Sequence, residues 1–365
     1  MKVGIDGREL EKNKLTGIGR FLLAFLSKAV ELKNTYEFFV FLNQNCELHL
    51  YSDNLTKIFL YEKSKFFFDQ VQLLSAAKRY KIDLFFSPYY KFPILLDIPV
   101  ITTVFDVIYL MVEPYKNKFK NNFYIKNFIK FTSKKVKTII TCSNTAKKDI
   151  IKLTDIDEEK IKVIYLAVDE KFTSQPENKI IQIKRKYNIN TKYMLYVGNS
   201  NPHKNLNRLI LAYDMLPGEI KSQYTLVLAG VQKKDILKYF FSIPDWLHII
   251  EFVDDDDLPA LYSGAELFVF PSLYEGFGLP PVEALACGCP VVASNVSSIP
   301  EILKEAAVYF DPYNIEDIKD KILKVLCSDS LKNSLFTSGI KHAKEFNKEN
   351  MVKSILKIFD LALMS

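Results

Sequence analysis

Two glutamates and two glycines stand close together in the second half of the sequence. Glu275 and Glu283 are separated by seven residues, and Gly276 and Gly278 lie between them. Glycine frees the backbone to turn its N–H groups toward a ligand. A carboxylate accepts hydrogen bonds from hydroxyls, such as those of a sugar or a ribose. The pattern favours a hydroxyl-rich ligand. The alternative is that Glu283 complements a helix dipole and Glu275 is a solvated loop residue.

A cation is available in an earlier segment, Gly198 to Asn205. Lys204 stands where a helix is predicted to begin, with His203 beside it, and Gly198 allows close approach of the backbone. A lysine can neutralise a diphosphate, and a helix N-terminus adds partial positive charge. The segment therefore suits a diphosphate leaving group. The alternative is a solvent-exposed lysine without a partner.

A run of four acids, Asp254 to Asp257, allows two interpretations. Acids in an Asp-x-Asp pattern can hold a sugar nucleotide through a divalent ion. Because a helical segment follows at once, the same acids could instead cap the helix start, where negative charge is favoured. We favour the cap. His49, His248 and His342 stand alone without ligand spacing, and we predict no metal site.

Gly17 and Gly19 provide the first two glycines of a dinucleotide-binding fingerprint. The third position is Leu22, and the glycines follow the first predicted strand by about ten residues, which is too far for that fingerprint. An oxidoreductase is therefore disfavoured.

Short apolar runs alternate with helical segments along nearly the whole chain, which predicts an α/β fold with parallel sheets. The predicted strands of the first half are 3–5, 38–42, 84–86, 100–103, 138–141 and 163–165. Those of the second half are 193–197, 226–229, 248–252, 267–270, 291–293 and 308–310. Predicted helices include 19–32, 145–153, 315–326, 331–346 and 351–363.

The length of 365 residues suits two domains. The rhythm of strands and helices breaks after Val168, so we predict a Rossmann-like N-terminal domain over 1–172. A second Rossmann-like domain follows over 173–345, and a C-terminal helix over 346–365 packs back on the first domain. Ligands of open α/β sheets bind at the carboxyl ends of strands, so the two domains are expected to face each other across a cleft.

Composition is that of a globular protein, with 48% hydrophobic and 25% charged residues and a net charge of +6. No run of eighteen apolar residues exists, and charges in the first ten residues do not fit a signal peptide. Five scattered cysteines favour reduced thiols. We therefore predict a cytoplasmic protein, with peripheral contact to the inner face of a membrane as a further possibility.

The segment from Pro114 to Lys148 is the most basic part of the chain. Lysines at helical spacing define one stripe and aromatic residues a second: Lys126, Lys130, Lys134 and Lys137, and Tyr124, Phe128 and Phe131. Such a helix, within the region Lys116 to Lys137, could lie on an anionic membrane. It could equally pack on a core with a solvated basic face. No nucleic-acid-binding motif accompanies the charge.

The stretch from Phe270 to Ser294 closely resembles the E-x7-E signature of family 4 retaining glycosyltransferases, which have the GT-B fold. The likeness extends over nearly the whole chain. Thr16 to Arg20 resembles the glycine loop of the family, and Tyr196 to Asn205 resembles its diphosphate loop. The segment Asp257 to Tyr262 resembles the one that precedes the signature strand.

This resemblance implies that the domain over 1–172 binds the acceptor and that the domain over 173–345 binds the nucleotide-sugar donor. It also implies roles for particular residues. Glu283 would bind ribose hydroxyls, Glu275 a hydroxyl of the donor sugar, and Lys204 the diphosphate. Further donor contacts would come from Gly17, Gly19, Gly198, Asn199 and His203, from the backbone of Gly276, Phe277, Gly278 and Leu279, and from Phe252 and Val253 near the base.

Two positions depart from the family pattern. His203 stands where an arginine is common, which could weaken phosphate binding or make it sensitive to pH near neutrality. Phe105 replaces the histidine of a common His-Asp pair, so the usual contact to the donor sugar is missing. Asp106 remains a candidate for positioning the acceptor or the sugar.

The expected function is retaining transfer of a hexose from a nucleoside diphosphate sugar to a hydroxyl of a glycan or glycolipid, without metal or other cofactor. The glycine loop resembles mannosyltransferases, which favours GDP-mannose over UDP-glucose. Two alternatives stay open: an epimerase of UDP-N-acetylglucosamine, and an inert nucleotide-sugar-binding partner subunit, which Phe105 keeps possible.

Overall fold

The structure is a computed structural model and describes residues 1–12, 16–32, 34–113, 115, 126–127, 129–238, 240 and 242–364. The chain forms two compact units. Unit 1 comprises Met1–Leu110, Lys118–Ala167 and Asn347–Ser365, and unit 2 comprises Met111–Asn117 and Val168–Phe346.

Unit 1 contains a parallel sheet of seven strands. The strands are β1 (Lys2–Asp6), β2 (Glu37–Leu42), β3 (Leu55–Phe59), β4 (Leu84–Ser87), β5 (Val100–Thr103), β6 (Thr138–Thr141) and β7 (Ile161–Val163). Their order in the sheet is β3-β2-β1-β4-β5-β6-β7. The central strands are largely buried because both faces of a parallel sheet are covered. In β4 all four residues are buried.

Three strand predictions need correction. The last strand of unit 1 is Ile161–Val163, two residues earlier than predicted. The edge strand β3 was missed because its Thr56 and Lys57 interrupt the apolar pattern and its residues are largely solvent-accessible. The predicted strand 248–252 ends at Ile250, and Phe252 lies beyond it.

Helices cover the faces of the first sheet. They span Gly17–Glu31, Lys65–Phe67, Leu73–Arg79, Ile108–Met111, Asn144–Thr154 and Lys348–Met364, with a π-helical turn at Phe68–Gln72. The C-terminal helix packs in unit 1, where the Phe359 ring lies 5.3 Å from that of Phe86 and 5.9 Å from that of Phe25. The hydroxyl of Tyr36 donates a hydrogen bond to Asp360. The prediction that this helix crosses back to the first domain is confirmed.

Unit 2 contains a second parallel sheet, of six strands. They are β8 (Lys192–Val197), β9 (Tyr224–Ala229), β10 (Leu247–Ile250), β11 (Leu267–Phe270), β12 (Val291–Ser294) and β13 (Val308–Phe310), in the order β10-β9-β8-β11-β12-β13. The main helices span Glu177–Lys186, Leu206–Asp214, Gly218–Gln223, Lys233–Ile236, Leu258–Ser263, Leu279–Ala286, Ile299–Leu303, Ile315–Leu326 and Asp329–Ala343. The predicted α/β class with parallel sheets is confirmed.

Each sheet has one point where the strand order reverses. In unit 1 the chain runs outward from β1 to β3 and then from β4 to β7, so the reversal lies between β1 and β4. In unit 2 it lies between β8 and β11. Ligands of open α/β sheets bind outside the carboxyl ends of the strands at this point. The loops that follow β1, β4, β8 and β11 are therefore the ones that can build sites.

The basic segment is only partly helical. Residues 126–127 and 129–133 are helical, whereas Lys134 and Lys137 lie in turns, so the predicted four-lysine stripe is not one helical face. Phe131 is 52% exposed, which disfavours the alternative in which this side chain packs on a core. Lys116, Lys118, Lys120, Tyr124 and Phe128 lie outside the described residues. Within the described ranges, no helix has the length and apolar character needed to cross a membrane.

Candidate active site

A lysine and a glutamate meet at the reversal point of the second sheet. The loop after β8 contains Lys204, the loop after β11 contains Glu275, and Lys204 Nζ lies 2.6 Å from Glu275 Oε1. The two side chains are 13% and 14% exposed. Lys204 also lies 5.4 Å from the centre of the Phe270 ring, at the end of β11. The alternatives of an unpartnered lysine and a solvated glutamate are therefore wrong.

The loop that contains Glu275 is held in place from two sides. The N–H of Leu273 donates to the carbonyl of His203 at 2.7 Å, which ties it to the lysine loop. Ser297 and Ser298, beyond β12, donate their hydroxyls to the carbonyl of Glu275 at 2.7 and 2.9 Å. The N–H of Glu275 donates back to Ser297 Oγ at 3.2 Å. The carboxylate therefore projects from a backbone that is ordered without a ligand.

The helix after this loop begins at Leu279, with Gly278 as its N-cap. Gly278 has φ +94°, a left-handed conformation that glycine adopts without strain. Pro280 and Pro281 have no N–H groups. In the described part of the chain, the N–H groups of Gly278 and Leu279 donate to no protein acceptor. These two amides are thus available to a ligand beside Lys204.

Glu283 is the fifth residue of that helix rather than part of its first turn, which contains no acid. It is 7% exposed, and its Oε2 accepts a hydrogen bond from the hydroxyl of Tyr262 at 3.1 Å. The effect of a helix dipole falls off beyond the first turn. The interpretation that Glu283 merely complements the dipole is therefore wrong.

His203 is 9% exposed, and the hydroxyl of Tyr115 lies 3.3 Å from its Nδ1. Burial lowers the pKa of His203 to about 4; the charge of Glu275 offsets only part of this shift, and the charge of Lys204 lowers the pKa further. The imidazole is therefore neutral at physiological pH. This low pKa disfavours a phosphate-binding step that is sensitive to pH near neutrality, and Lys204 is the cation of this loop.

The other predicted donor residues of unit 2 are more accessible. Asn199 is exposed, and its side-chain oxygen accepts the N–H of Asn201 at 3.0 Å. Gly198 is half-buried beside it. Phe252 is 75% exposed in the loop after β10, and Val253 follows it half-buried. Gly276 and Phe277 are buried in the loop that follows β11.

The run of acids does not cap the following helix. Asp257 occupies the N-cap position, yet its side chain makes no capping hydrogen bond. Lys186 instead lies 2.6 Å from both Asp254 Oδ2 and Asp257 Oδ2. The hydroxyl of Tyr187 also donates to Asp257, at 2.7 Å. The predicted cap is wrong, because a lysine and a tyrosine that precede the acids by three strands in the sequence bind the carboxylates instead. Within the described ranges, no three His, Cys, Asp or Glu side chains are arranged to hold a metal.

The predicted residues of unit 1 occupy helix starts. Gly17 is exposed in the first turn of its helix, and the N–H of Gly19 donates to the N-cap residue Thr16 at 3.1 Å. Asp106 is exposed, and its Oδ1 accepts the N–H of Ile108 at 3.0 Å. The ring of Phe105 packs edge-on against Phe21 at 4.9 Å.

Three residues that position the site had no sequence signal of their own. Ser297 and Ser298 belong to no motif, and Tyr262 lies in the segment Asp257 to Tyr262, whose resemblance to the family gave this tyrosine no role of its own. A serine pair three and four residues after an apolar strand could have suggested Ser297 and Ser298, since loops at the carboxyl ends of parallel strands meet. Their contacts depend on strand order, which periodicity does not reveal.

Solved structures resemble the whole chain. Sucrose-phosphate synthase from Thermosynechococcus elongatus superposes with a TM-score of 0.76 at 16% identity, covering 99% of this chain and 98% of that one. Anabaena HepE, solved in complex with UDP and glucose, gives 0.75 at 16% identity and covers 99% of each chain. This likeness shows the fold, which is GT-B, the fold of a large class of glycosyltransferases.

Two family models match adjoining parts of the chain. The one described as Glycosyltransferase Family 4 matches residues 17–172, and the one described as Glycosyl transferases group 1 matches residues 179–342. The chain belongs to the family 4 type of GT-B glycosyltransferases.

Curated relatives extend this likeness. O-antigen chain mannosyltransferase B of Escherichia coli is 29% identical over 99% of this chain and 100% of that protein. The serotype-specific mannosyltransferase WbdA of Escherichia coli is 31% identical over 67% of this chain. The chain spans about a third of the length of WbdA, since the match covers 31% of it.

Proposed function

We propose that this glycosyltransferase moves a mannosyl group from a nucleoside diphosphate sugar, with GDP-mannose preferred to UDP-glucose, to a hydroxyl of a glycan or glycolipid, with retention of configuration. The observation that carries the proposal is the paired Lys204 and Glu275 at the reversal point of the second sheet, beside the two available amides of Gly278 and Leu279. The names of the mannosyltransferase relatives support the choice of sugar.

The donor diphosphate would draw Lys204 away from Glu275. Both groups are mostly shielded from water, so a phosphate close to the lysine interacts strongly with it. The amides of Gly278 and Leu279 add donors that suit an anion. Glu275, released from the lysine, can then accept a hydrogen bond from a sugar hydroxyl.

Glu283 would bind the ribose from inside the second turn of its helix. Its burial and its contact with Tyr262 hold the carboxylate in one place, which favours hydrogen bonds to a pair of hydroxyls. Asn199, His203 and Gly198 would line the phosphates. Phe252 and Val253 would lie near the base, where an exposed ring offers a surface for stacking.

In the proposed reaction the bond between the anomeric carbon and the diphosphate oxygen breaks, and a bond to the acceptor oxygen forms on the same face of the sugar. The acceptor proton passes to the leaving diphosphate. The protein would orient the reactants and stabilise the developing charge through Lys204. Gly17 and Gly19 would approach the donor, and Asp106 would position the acceptor. We propose that no metal is required.

A panel of nucleotide sugars tests this function. We expect GDP-mannose to stabilise the protein against thermal unfolding, by about 2.7 kcal/mol at a hundredfold excess over Kd, and to be hydrolysed or transferred. Lys204→Ala should abolish both effects. The matched control is Lys192→Ala, because Lys192 is 59% exposed and lies at the opposite end of β8. This variant should keep both the thermal stabilisation by GDP-mannose and its turnover.

Three outcomes of the panel would overturn parts of the proposal. Preference for UDP-glucose would contradict the assignment of mannose. Nucleotide binding without transfer to any acceptor would indicate an inert partner subunit. Conversion of UDP-N-acetylglucosamine to UDP-N-acetylmannosamine would indicate an epimerase.

Peripheral contact with the inner face of a membrane is a further part of the proposal. Lys126 and Lys130 lie in the basic segment, although Lys130 is also 3.0 Å from Asp155. We expect sedimentation with vesicles that contain anionic lipid, and weaker sedimentation after Lys126→Gln and Lys130→Gln. Equal sedimentation with neutral vesicles would contradict an electrostatic contact.

A further inference from the structure

A cavity lies at the amino-terminal end of the second sheet. Its volume is about 670 Å³, and sites for small molecules commonly measure about 300–1,000 Å³. Glu266 and Pro290, which directly precede β11 and β12, contribute to its floor. Lys204 and Glu275 follow the opposite ends of β8 and β11. Because β8 has six residues and spans about 20 Å, the cavity is separate from the candidate active site.

An aromatic ring forms part of the cavity wall. Phe336 belongs to the helix Asp329–Ala343 and is 43% exposed. A Cβ at Gly288 would lie 2.5 Å from this ring, so a side chain at that position would displace it. On the other wall Ile180 is half-buried, and a Cβ at Gly264 would lie 2.6 Å from its Cγ2. The ring of Phe336 is therefore packed on one side and accessible on the other.

The polar part of the lining carries charges of alternating sign. Lys192 Nζ lies 3.4 Å from Glu266 Oε1. Lys332 Nζ lies 3.7 Å from Glu266 Oε2 and 2.8 Å from Asp329 Oδ1. Its hydrogen bond to Asp329 raises the pKa of Lys332 and lowers the pKa of Asp329, so both stay charged at neutral pH. The four side chains form a row in which ammonium groups and carboxylates alternate.

Two more charged side chains of opposite sign line the cavity. Glu177 and Lys184 lie about two turns apart on the helix that precedes β8. Glu177 is exposed and Lys184 is half-buried, and neither forms an ion pair with the residues that the structure describes. Together with the row of four, the lining contains three ammonium groups and three carboxylates. The cavity is thus polar and has no net charge.

The charge pattern selects the class of ligand. A phosphate or an organic cation would meet as many like charges as opposite ones. A hydroxyl both donates and accepts a hydrogen bond, so a row of alternating donors and acceptors matches a polyhydroxy compound. Phe336 adds an aromatic face, on which the C–H face of a pyranose can pack. An uncharged carbohydrate therefore fits both the polar and the apolar parts of the lining.

We propose that this cavity is a second carbohydrate site, in which Phe336 packs against an uncharged pyranose and Glu266 and Lys332 exchange hydrogen bonds with its hydroxyls. The site is remote from Lys204 and Glu275, so it would hold a sugar unit that does not react. A glycan held here stays near the enzyme between transfers, because the second contact raises its effective concentration. This use of the site rests on the proposed glycosyl transfer, whereas carbohydrate binding does not.

Binding of a defined oligosaccharide tests the site. The probe is α-mannotetraose, and hydrogen exchange locates it. We expect the probe to slow exchange in peptides that cover 258–266 and 329–340, and the dependence of this protection on probe concentration gives the Kd at this site. Phe336→Ala should raise this Kd at least tenfold. Phe336→Tyr keeps the ring and should change the Kd less than threefold.

Ile181→Ala is the matched control, because Ile181 is 40% exposed and follows Ile180 but does not line the cavity. It should keep the Kd of the unmodified protein. If Phe336→Ala unfolds, Glu266→Gln takes its place, since glutamine keeps the shape of the side chain and removes its charge. We expect Glu266→Gln to raise the Kd at least fivefold, and an unchanged Kd in this variant would contradict the site.

The outcomes separate failure of this site from failure of the proposed function. If α-mannotetraose protects the two peptides but the protein does not turn over GDP-mannose, the proposed function fails and the site stands. If GDP-mannose is turned over and Phe336→Ala, with an unchanged thermal unfolding midpoint, keeps the Kd of the unmodified protein, the site is wrong. Protection of the same peptides by inorganic pyrophosphate or glycine betaine, and not by α-mannotetraose, would overturn the choice of an uncharged carbohydrate.

Discussion

Lys204 and Glu275 neutralise each other while no donor is bound. Each side chain has lost most of its hydration, so removing either one leaves the other charge shielded from water and unpaired. The pair thus stabilises unit 2, and the proposed donor must compete with this stabilisation. The same contact links the loops after β8 and β11, so the residue pair is both a structural and a candidate functional element.

A double-mutant cycle measures this pairing. We expect Lys204→Met and Glu275→Gln each to lower the free energy of unfolding by about 2 kcal/mol, which is less than the cost for a fully buried pair. The double variant should lose less than the sum of the two, since no unpaired charge remains. Urea denaturation followed through Trp246, which stacks on Tyr213 at 4.7 Å in unit 2, provides the measurement.

The matched control for the cycle is the exposed pair of Lys304 and Glu345 in unit 2, whose side chains are 53% and 57% exposed. An exposed pair contributes less than about 1 kcal/mol. Additive effects at Lys204 and Glu275, as at this control pair, would show that the two buried groups do not interact.

His203 gives the stability of the protein a particular dependence on pH. Its pKa is lowered from 6.5 to about 4 by burial, so the unfolded chain binds a proton at a pH where the folded chain does not. This stabilisation is complete above pH 6.5 and is lost as the pH falls toward 4. We expect a loss of about 2 kcal/mol between pH 6.5 and 5 that is absent in His203→Gln. Parallel pH profiles of the two proteins would contradict the lowered pKa.

At the scale of elements, the junction between the loop after β11 and its helix determines where the available amides point. Gly278 adopts φ +94°, and a Cβ at this position would meet no atom closer than 3.5 Å. The obstacle to a side chain is therefore backbone strain rather than a clash. Pro280 and Pro281 then continue the helix without donors of their own, so the amides available to a ligand are those of the junction.

The variant Gly278→Ala tests whether the backbone at this junction would be strained by a side chain. We expect it to lower the free energy of unfolding by about 1–2 kcal/mol and to weaken nucleotide binding, because alanine disfavours the left-handed conformation. Gly218→Ala is the control: Gly218 begins a helix and a Cβ there meets nothing within 4 Å, so stability should stay equal or rise. Equal stability of the two variants, measured by urea denaturation, would count against a strained junction.

At the scale of the whole chain, unit 1 is completed by residues from the far end of the sequence. The helix Lys348–Met364 buries six side chains, among them Phe359, which is fully buried. Phe359 contacts the rings of Phe25, Phe86 and Tyr36. The N-terminal sheet therefore has an incomplete core until the C-terminal helix has been synthesised.

Phe359→Ala should destabilise unit 1 selectively. Removing a buried phenylalanine costs about 3–5 kcal/mol. We expect faster hydrogen exchange in peptides that cover β1, β2 and β4, with little change in those that cover β8 and β9. Phe336→Ala, which removes a 43% exposed ring in unit 2, should leave exchange in β1, β2 and β4 unchanged. Equal protection of β1 in the Phe359 and Phe336 variants would contradict the proposed packing role.

Local patterns were sufficient to predict much of the fold. Twelve short apolar runs marked strands, because both faces of a parallel strand are buried and need no alternation. The edge strand Leu55–Phe59 was not predicted, because most of its residues are accessible to solvent and do not form an apolar run. The role of Asp254 and Asp257 was missed for a different reason: their partner Lys186 belongs to another helix, and only tertiary packing brings it to 2.6 Å.

The sequence alone determined the class of the protein, since strand runs, helix boundaries and the spacing of Glu275 and Glu283 are local properties. Tertiary structure alone decided which charges meet and how they are hydrated. Strand order placed Lys204 against Glu275 and Arg8 between Asp6 and Asp69, and burial made His203 neutral. Hydration and pairing depend on neighbours that are distant in sequence, so a periodic pattern cannot report them.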